Sequence, residues 1–117
     1  MIDLNGFKQI NDNYGHAEGD LALCIVADLL RKSFSEYGVV TRYAGDEFVI
    51  MLNTTDDQLI QKIIKSAKKN FVTENEKNDK PYQLSASMGY AITNLSNETI
   101  DDFMNRIDEQ MYHCLLY

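Results

Sequence analysis

The segment from Arg42 to Met51, RYAGDEFVIM, is the feature that most constrains the fold of this chain. Apolar residues stand on both sides of a Gly-Asp pair, which is typical of two antiparallel strands joined by a tight turn. Strands are therefore predicted at about 39–44 and about 47–53. This hairpin places two adjacent carboxylates, Asp46 and Glu47, at the turn between two apolar strands.

Helical patterns alternate with strands along the rest of the chain. Apolar residues recur at helical spacing over about 55–71 and about 98–114, and a short helical turn is predicted at about 6–12. The segment at about 18–35 is apolar on most faces, which predicts a buried helix. The predicted caps are a capping box of Thr55 with Gln58 and an N-cap at Asn97.

A further strand is predicted at about 82–92, where larger residues alternate with small ones that a helix could approach closely. The opening MIDL reads as the end of another strand, and the polar stretch 72–81 reads as a loop. The order β-α-α-β-β-α-β-α predicts an α+β fold, a mainly antiparallel sheet with helices packed against it. Residues 1–117 are expected to form a single domain.

Charge and cysteine content narrow the class of protein. The formal net charge of −7 argues against a nucleic-acid-binding surface. It does not argue against a nucleotide ligand, because a bound cation can reverse the local charge. Two scattered cysteines give neither a disulfide framework nor a zinc spacing, so a reducing, cytoplasmic setting is expected. No apolar run approaches the roughly 18 residues of a membrane span, which leaves open an anchor elsewhere in a longer protein.

Carboxylates are predicted to meet at one edge of the sheet. If the first strand lies beside the hairpin, Asp3 converges with Asp46 and Glu47. Three carboxylates without Lys or Arg require a hard cation, and Mg²⁺ is the natural one because it takes oxygen ligands and shares its shell with phosphates. From the Gly-Asp-Glu run alone, an ordinary solvated turn is the simpler interpretation.

Four segments in order carry a more specific resemblance: IDLNGFKQINDNYGHAEGD, RYAGDEF, SMGYA and IDEQMY. Together they resemble the GGDEF domain family of diguanylate cyclases over essentially the whole chain. The resemblance implies a nucleotidyl-cyclase-like fold with GTP as substrate. Two GTP-loaded domains would meet in a transient antiparallel homodimer, where each 3′-hydroxyl attacks the other α-phosphate to give cyclic di-GMP. A sensory or regulatory domain on the N-terminal side is also implied.

The resemblance assigns a metal and catalytic set to the strand end and the hairpin. Asp3, assisted by the Leu4 carbonyl, matches the first-strand metal ligand. Asp46 matches a metal ligand and candidate base, and Glu47 matches a further residue tied to metal. Gly45 would let the backbone approach the phosphates. The implied ion is Mg²⁺, with Mn²⁺ as an alternative.

The resemblance also assigns the nucleotide contacts. Asn11 and Asp20 match the pair that reads the guanine edge, where a carboxylate accepts from N1–H and N2–H₂ and an amide reaches O6 or N3. Phe7 and Lys8 match positions near the triphosphate, with the Lys8 ammonium meeting a β- or γ-phosphate. Ala44 stands at the first signature position, beside the substrate.

The chain departs from the family pattern at several places. Ala44 replaces a glycine, Asn5 replaces a frequent Asp, and Arg42 before the signature is expected to be structural or steering. The segment Ser35–Gly38, SEYG, lacks the Arg-x-x-Asp motif, so no product inhibition of that kind is expected. Leu115 stands where the family has a phosphate-binding Lys, and the family's opening segment and C-terminal end are missing, so the isolated chain is expected to be poorly active.

Two other functions remain open at this point. One is a degenerate domain that binds GTP and regulates a neighbouring domain without making product, which Ala44 favours. The other is a structural or dimerisation domain with an idle site. A GTP-dependent rise in melting temperature separates the second from the rest, because a ligand that binds the native state stabilises it.

Overall fold

The computed structural model describes residues 1–92, 99, 101–103, 105 and 106. Its elements follow the predicted order. They are β1 (Ile2–Leu4), α1 (Phe7–Tyr14), α2 (His16–Phe34), β2 (Gly38–Ala44), β3 (Glu47–Leu52), α3 (Asp57–Glu76) and β4 (Ala86–Met88).

The sheet is antiparallel throughout its described part, with strand order β2-β3-β1-β4. The short strand β1 is central: Ile2 lies opposite Phe48 of β3 on one side and Met88 of β4 on the other. The prediction that the first strand lies beside the hairpin is confirmed, and so is the α+β fold.

The core lies between the sheet and the helices α2 and α3. Phe71 of α3 and Leu30 and Val26 of α2 are the largest side chains that are completely enclosed. The prediction that α2, apolar on most faces, is a buried helix is correct for one face only, because Leu21 is 45% exposed and Cys24 is exposed as well. Only the part of α2 that contacts α1, α3 and β2 is covered, so the helix is amphipathic.

Helix α3 differs from its prediction at both ends. Its N-cap is Asp56, whose Oδ1 accepts hydrogen bonds from the backbone amides of Gln58 and Leu59 at 3.1 and 3.4 Å. The predicted capping box of Thr55 with Gln58 is therefore wrong, since a carboxylate one residue later already satisfies these amides. The helix also continues through Glu76, so the first half of the predicted loop at 72–81 is helical.

At the end of α3, the Asn75 side chain pairs with the backbone of Leu84 in the way that a neighbouring strand would. The Asn75 amide donates to the Leu84 carbonyl and accepts from the Leu84 backbone N–H, both at 2.8 Å. This contact fixes the last turn of α3 against the segment that precedes β4. The polar composition of 72–81 gives no sign of it, because it is made across nine residues of chain.

Strand β4 is much shorter than the predicted 82–92, although its alternation is correct. Leu84, Ala86 and Met88 are buried on the core face, but ladder pairing extends only over Ala86–Met88. Ser85 and Ser87, on the predicted small-residue face, contact the Asn5 amide.

Most of the predicted helix at 98–114, with its cap at Asn97, lies outside the described residues. Within them, Thr99 Oγ1 accepts a hydrogen bond from the Asp102 backbone at 3.1 Å. None of the helices in the described part of the chain has the length and apolar content needed to cross a bilayer.

Candidate active site

A single residue joins α1 to α2. Gly15 has φ 93° and ψ 162°, a conformation that favours glycine, and its N–H donates to the Asn11 carbonyl at 2.8 Å. The Gly19 N–H in turn donates to the Gly15 carbonyl at 3.1 Å. The predicted helices at 6–12 and 18–35 thus extend toward each other, to Tyr14 and from His16. The joint holds the end of α1 beside the first turn of α2.

The Asn11 side chain packs onto Gly19 across this joint. A Cβ on Gly19 would overlap Asn11 Oδ1 and lie 2.8 Å from Asn11 Cγ and 3.3 Å from Phe7 Cε1. Asn11 Oδ1 is buried and has no hydrogen-bond partner among the described residues. Asp20 follows Gly19 and is exposed. The two residues assigned to the guanine edge therefore lie on adjoining elements, on either side of one glycine contact.

The hairpin turn has the predicted form. Ala44 pairs with Glu47, and Gly45 and Asp46 form the turn between them. Gly45 has φ 43°, and a Cβ there would meet nothing within 4 Å, so backbone conformation rather than crowding by the chain favours glycine. Arg42 Nε donates to the Gly45 carbonyl at 2.8 Å, which agrees with a structural role for this arginine.

Asp3 meets the hairpin as the sequence predicted. It lies opposite Glu47 in the β1–β3 register, and the Leu4 N–H donates to the Asp46 carbonyl at 3.0 Å. Burial raises the pKa of Asp3 above its ordinary 3.8, and the charges of Asp46 and Glu47 and a side-chain hydrogen bond with Asp46 raise it further. The carboxyls of Asp3 and Asp46 thus lie close together, and among the described residues no ion pair joins either of them to a basic side chain.

The three acids do not form a finished ligand set. In the described part of the chain, no group of three or more His, Cys, Asp and Glu side chains is arranged to hold a metal ion. The structure brings Asp3 and Asp46 together and places Glu47 nearby, as an oxygen-only group with unbalanced negative charge. This chemistry fits a hard divalent cation, which could draw in the third carboxylate and the Leu4 carbonyl.

The remaining predicted site residues lie around these two features. Phe7 is half-buried against Gly19, whereas Lys8 on α1 and Ala44 in the hairpin are exposed. Asn5 lies two residues after Asp3, just beyond the end of β1, where it donates to Ser85 Oγ at 3.2 Å and accepts from Ser87 Oγ at 2.8 Å.

Sequence reasoning missed three contributors to this region. Gly19 packs under Asn11, and Ser85 and Ser87 hold the Asn5 amide. A signal for Gly19 existed, since a glycine inside a helical pattern often marks a close approach. The serines carried no comparable signal because their partner lies on a distant strand.

Two cavities lie elsewhere. One of about 770 Å³ is lined by α3 and Tyr90, and one of about 320 Å³ lies beside the segment after α3. Neither is lined by a predicted site residue.

Comparison with known proteins gives a consistent match. The model of the family described as "Diguanylate cyclase, GGDEF domain" matches residues 1–115. Diguanylate cyclase A of Treponema denticola is 32% identical over 113 residues, which cover 96% of this chain and 30% of that protein. The bifunctional diguanylate cyclase/cyclic di-GMP phosphodiesterase MucR of Pseudomonas aeruginosa is 32% identical over 117 residues, which cover 97% of this chain and 16% of that protein. The chain therefore spans less than a third of either relative.

Solved structures agree with the sequence match. Diguanylate cyclase SiaD of Pseudomonas aeruginosa, in complex with its activator SiaC, superposes with a TM-score of 0.78 at 25% identity, over 96% of this chain and 43% of that one. The GGDEF domain of DgcB from Caulobacter crescentus, in complex with c-di-GMP, has the same fold, with a TM-score of 0.83 at 22% identity over 96% of this chain and 67% of that one. With its joined helices, its Asp3–hairpin contact and a family match over residues 1–115, this chain belongs to the GGDEF domain family.

Proposed function

We propose that this chain is the catalytic domain of a diguanylate cyclase, which condenses two GTP molecules into cyclic di-GMP. The observation that carries the proposal is the contact between Asp3 and Asp46, which gathers negative charge where β1 meets the signature turn. A group of carboxyls that raises the pKa of one of its members favours a bound cation, and cations are what phosphoryl chemistry requires.

The guanine base is proposed to bind at the α1–α2 joint. The exposed Asp20 carboxylate would accept from N1–H and N2–H₂, and the Asn11 amide would reach O6 or N3. Gly19 supports this role because its missing side chain leaves room for the Asn11 amide. Phe7 packs under the same joint, and the exposed Lys8 ammonium would meet a β- or γ-phosphate.

The metal is proposed to be Mg²⁺, with Mn²⁺ as an alternative, held by Asp3, Asp46, Glu47 and the Leu4 carbonyl. A metal requirement is general among cyclases of this family. When bound, the ion would neutralise charge on the α-phosphate and make the attacking hydroxyl more acidic. Asp46 is the candidate base for the proton of the 3′-hydroxyl, and Gly45 and Ala44 leave the turn backbone open to the phosphates.

The reaction is proposed to take place between two copies. Each copy carries one set of guanine and metal residues, whereas joining two GTP molecules requires two nucleotides face to face, as in a transient antiparallel homodimer. The relatives of this chain are longer proteins of which the matched part is a fraction, which supports control by a further domain. We propose that this is a sensory or regulatory domain on the N-terminal side, as the resemblance to the family implies. The domain is also proposed to work in the cytoplasm, on its own or as the cytoplasmic domain of a membrane-anchored protein.

Nucleotide chromatography of the full-length protein with GTP and Mg²⁺ tests the proposal. The wild type and Asp28→Ala, which changes an exposed carboxylate on α2, are expected to produce cyclic di-GMP. Asp46→Ala is expected to abolish product without lowering the melting temperature by more than a few degrees. Product from Asp46→Ala would overturn the metal and base assignment. GTP that raises the melting temperature of the wild type without any product would indicate a regulatory GTP-binding domain instead.

A further inference from the structure

Three side chains tie the α1–α2 joint to the segment that precedes β4. Tyr82 donates its hydroxyl hydrogen to Glu18 Oε1 at 2.7 Å, and Tyr14 donates to the Pro81 carbonyl at 3.3 Å. The rings of Tyr14 and Tyr82 pack at a centroid distance of 5.4 Å with an interplanar angle of 42°. These three residues, Tyr14, Glu18 and Tyr82, are called the tyrosine clamp below.

The clamp stays intact over the physiological pH range. Burial raises the pKa of the Tyr82 hydroxyl, and the hydrogen bond to Glu18 and the charge of that carboxylate raise it further. The raised pKa keeps the Tyr82 hydroxyl protonated at neutral pH, where it donates to Glu18. A hydrogen bond from a neutral donor to an ionised acceptor is stronger than one between neutral groups.

Apart from its two backbone hydrogen bonds and the packing of Asn11 on Gly19, the joint offers little control over the angle between its helices. Gly15 is the only residue between α1 and α2, and a Cβ there would have no neighbour within 4 Å. The backbone of a glycine with positive φ tolerates a wide range of conformations. Contacts made by the flanking residues must therefore hold the two helix ends in register.

The tyrosine clamp touches both sides of this joint at once. Tyr14 is the last residue of α1, three residues after Asn11, and Glu18 lies in the first turn of α2, two residues before Asp20. Tyr82 contacts both of them from a third segment, which Asn75 anchors to α3 through Leu84. The tyrosine clamp thus connects the helix ends that carry Asn11 and Asp20 to a segment that is itself anchored to α3.

From this arrangement we propose that the tyrosine clamp determines selectivity for the guanine base by fixing the spacing of Asn11 and Asp20. The inference rests on the proposed function, in which these two residues read the guanine edge. Tyr82 and Glu18 are positioning residues, since they act through Asn11 and Asp20. If the clamp is opened, the carboxylate no longer meets N1–H and the 2-amino group together.

Binding of guanosine and inosine diphosphates with Mg²⁺ to the full chain, measured by calorimetry, tests this role. The two nucleotides differ only in the 2-amino group, and neither can be condensed, so turnover does not interfere. The wild type is expected to prefer the guanosine nucleotide. In Tyr82→Phe this preference is expected to fall by about threefold to tenfold, less than the loss of a whole hydrogen bond to a charged group, because the Asp20 carboxylate is displaced and not removed.

Tyr90→Phe is the matched control. The Tyr90 hydroxyl also donates to a carboxylate, Asp57 Oδ1, at 2.6 Å, but this contact joins the segment after β4 to α3, away from the joint. Tyr90→Phe should therefore keep the full preference. On the other side of the clamp, Glu18→Gln retains an acceptor oxygen and should keep most of the preference, whereas Glu18→Ala should lose it.

The outcomes separate the inference from the function on which it rests. An unchanged preference in both Tyr82→Phe and Glu18→Ala, beside a wild type that prefers guanosine, would overturn the clamp and leave the guanine site standing. An equal loss of affinity for both nucleotides, with a lower melting temperature, would show a purely structural role and also overturn it. A wild type without preference would overturn the guanine site and the clamp together.

Discussion

Replacing Gly19 with alanine tests the packing of the candidate guanine site without removing any of its polar groups. In the structure, the added methyl would overlap Asn11 Oδ1 and lie 2.8 Å from Asn11 Cγ, closer than real Cβ atoms approach other heavy atoms. Phe7 Cε1, at 3.3 Å, would also have to give by a few tenths of an ångström. The Asn11 amide must therefore move, and we expect Gly19→Ala to weaken binding of guanine nucleotides.

Two opposing terms set the effect on stability. Forcing an extra methyl into a packed contact lowers the free energy of unfolding by about 1–3 kcal/mol. Alanine is better than glycine inside a helix by about 1 kcal/mol, and residue 19 lies inside α2. The net change expected for Gly19→Ala is a loss of about 0–2 kcal/mol. This small number is uninformative alone, because it mixes a clash with a propensity gain.

A double-mutant cycle with Asn11→Ala isolates the clash. In the Asn11→Ala background the overlapping amide is gone, so Gly19→Ala should be neutral or stabilising, by up to about 1 kcal/mol. Urea unfolding followed by circular dichroism gives the four free energies, and a coupling of about 1–3 kcal/mol is expected. If Gly19→Ala changes the stability equally in both backgrounds, the contact between Gly19 and Asn11 is not the reason for glycine at this position.

Three further changes have defined outcomes. Asp3→Asn should raise the free energy of unfolding at about pH 7 in chelator, because the pKa of Asp3 is raised by burial and by its acidic neighbours, so that stability is lost as pH rises through the folded pKa. The advantage over wild type should vanish near about pH 3, where Asp3 is protonated in both states, and an advantage constant with pH would contradict the raised pKa. Gly45→Ala should lower the free energy of unfolding by about 1–2 kcal/mol through its positive φ alone, and Gly45→Asn by less; equal effects of the two in urea unfolding would show that backbone strain is not the cause. Asn75→Ala should cost about 2–4 kcal/mol by leaving the N–H and C=O of the buried Leu84 unpaired, and Asn75→Asp, which keeps only the acceptor, should fall between it and wild type; a thermal melt unchanged in either variant would refute the pairing.

The sequence was a good guide where the signal is local. The Gly-Asp turn with apolar arms predicted β2, β3 and the hairpin between them, because turn chemistry and strand alternation are both set by neighbouring residues. The meeting of Asp3 with the hairpin also followed, once the first strand was assumed to lie beside it. The α+β fold was also predicted, because the order of helices and strands follows from local patterns along the chain.

Prediction failed where distant residues decide the structure. The polar run after Phe71 continues as helix because Asn75 pairs with Leu84, and Leu84 leaves the predicted long strand for that reason. The cap of α3 was misplaced by one residue, since Thr55 and Asp56 are both good caps and only the backbone path selects between them. The predicted three-carboxylate ligand set is not formed among the described residues, because side-chain conformations are not determined by spacing along the sequence.

The central position of β1 has a consequence for how the domain is made. Ile2 pairs with both Phe48 and Met88, so β1 cannot be paired on both sides until β3 and β4, which are synthesised much later, have left the ribosome. Pairing between residues so far apart in sequence is slow to form, because a long loop must close before any contact is gained. During synthesis, Asp3 therefore has no partner until the hairpin emerges, and β1 is locked on its second side only with β4. The acidic site can therefore form only after the hairpin has emerged, and until β4 follows, the strand that carries Asp3 is paired on one side only.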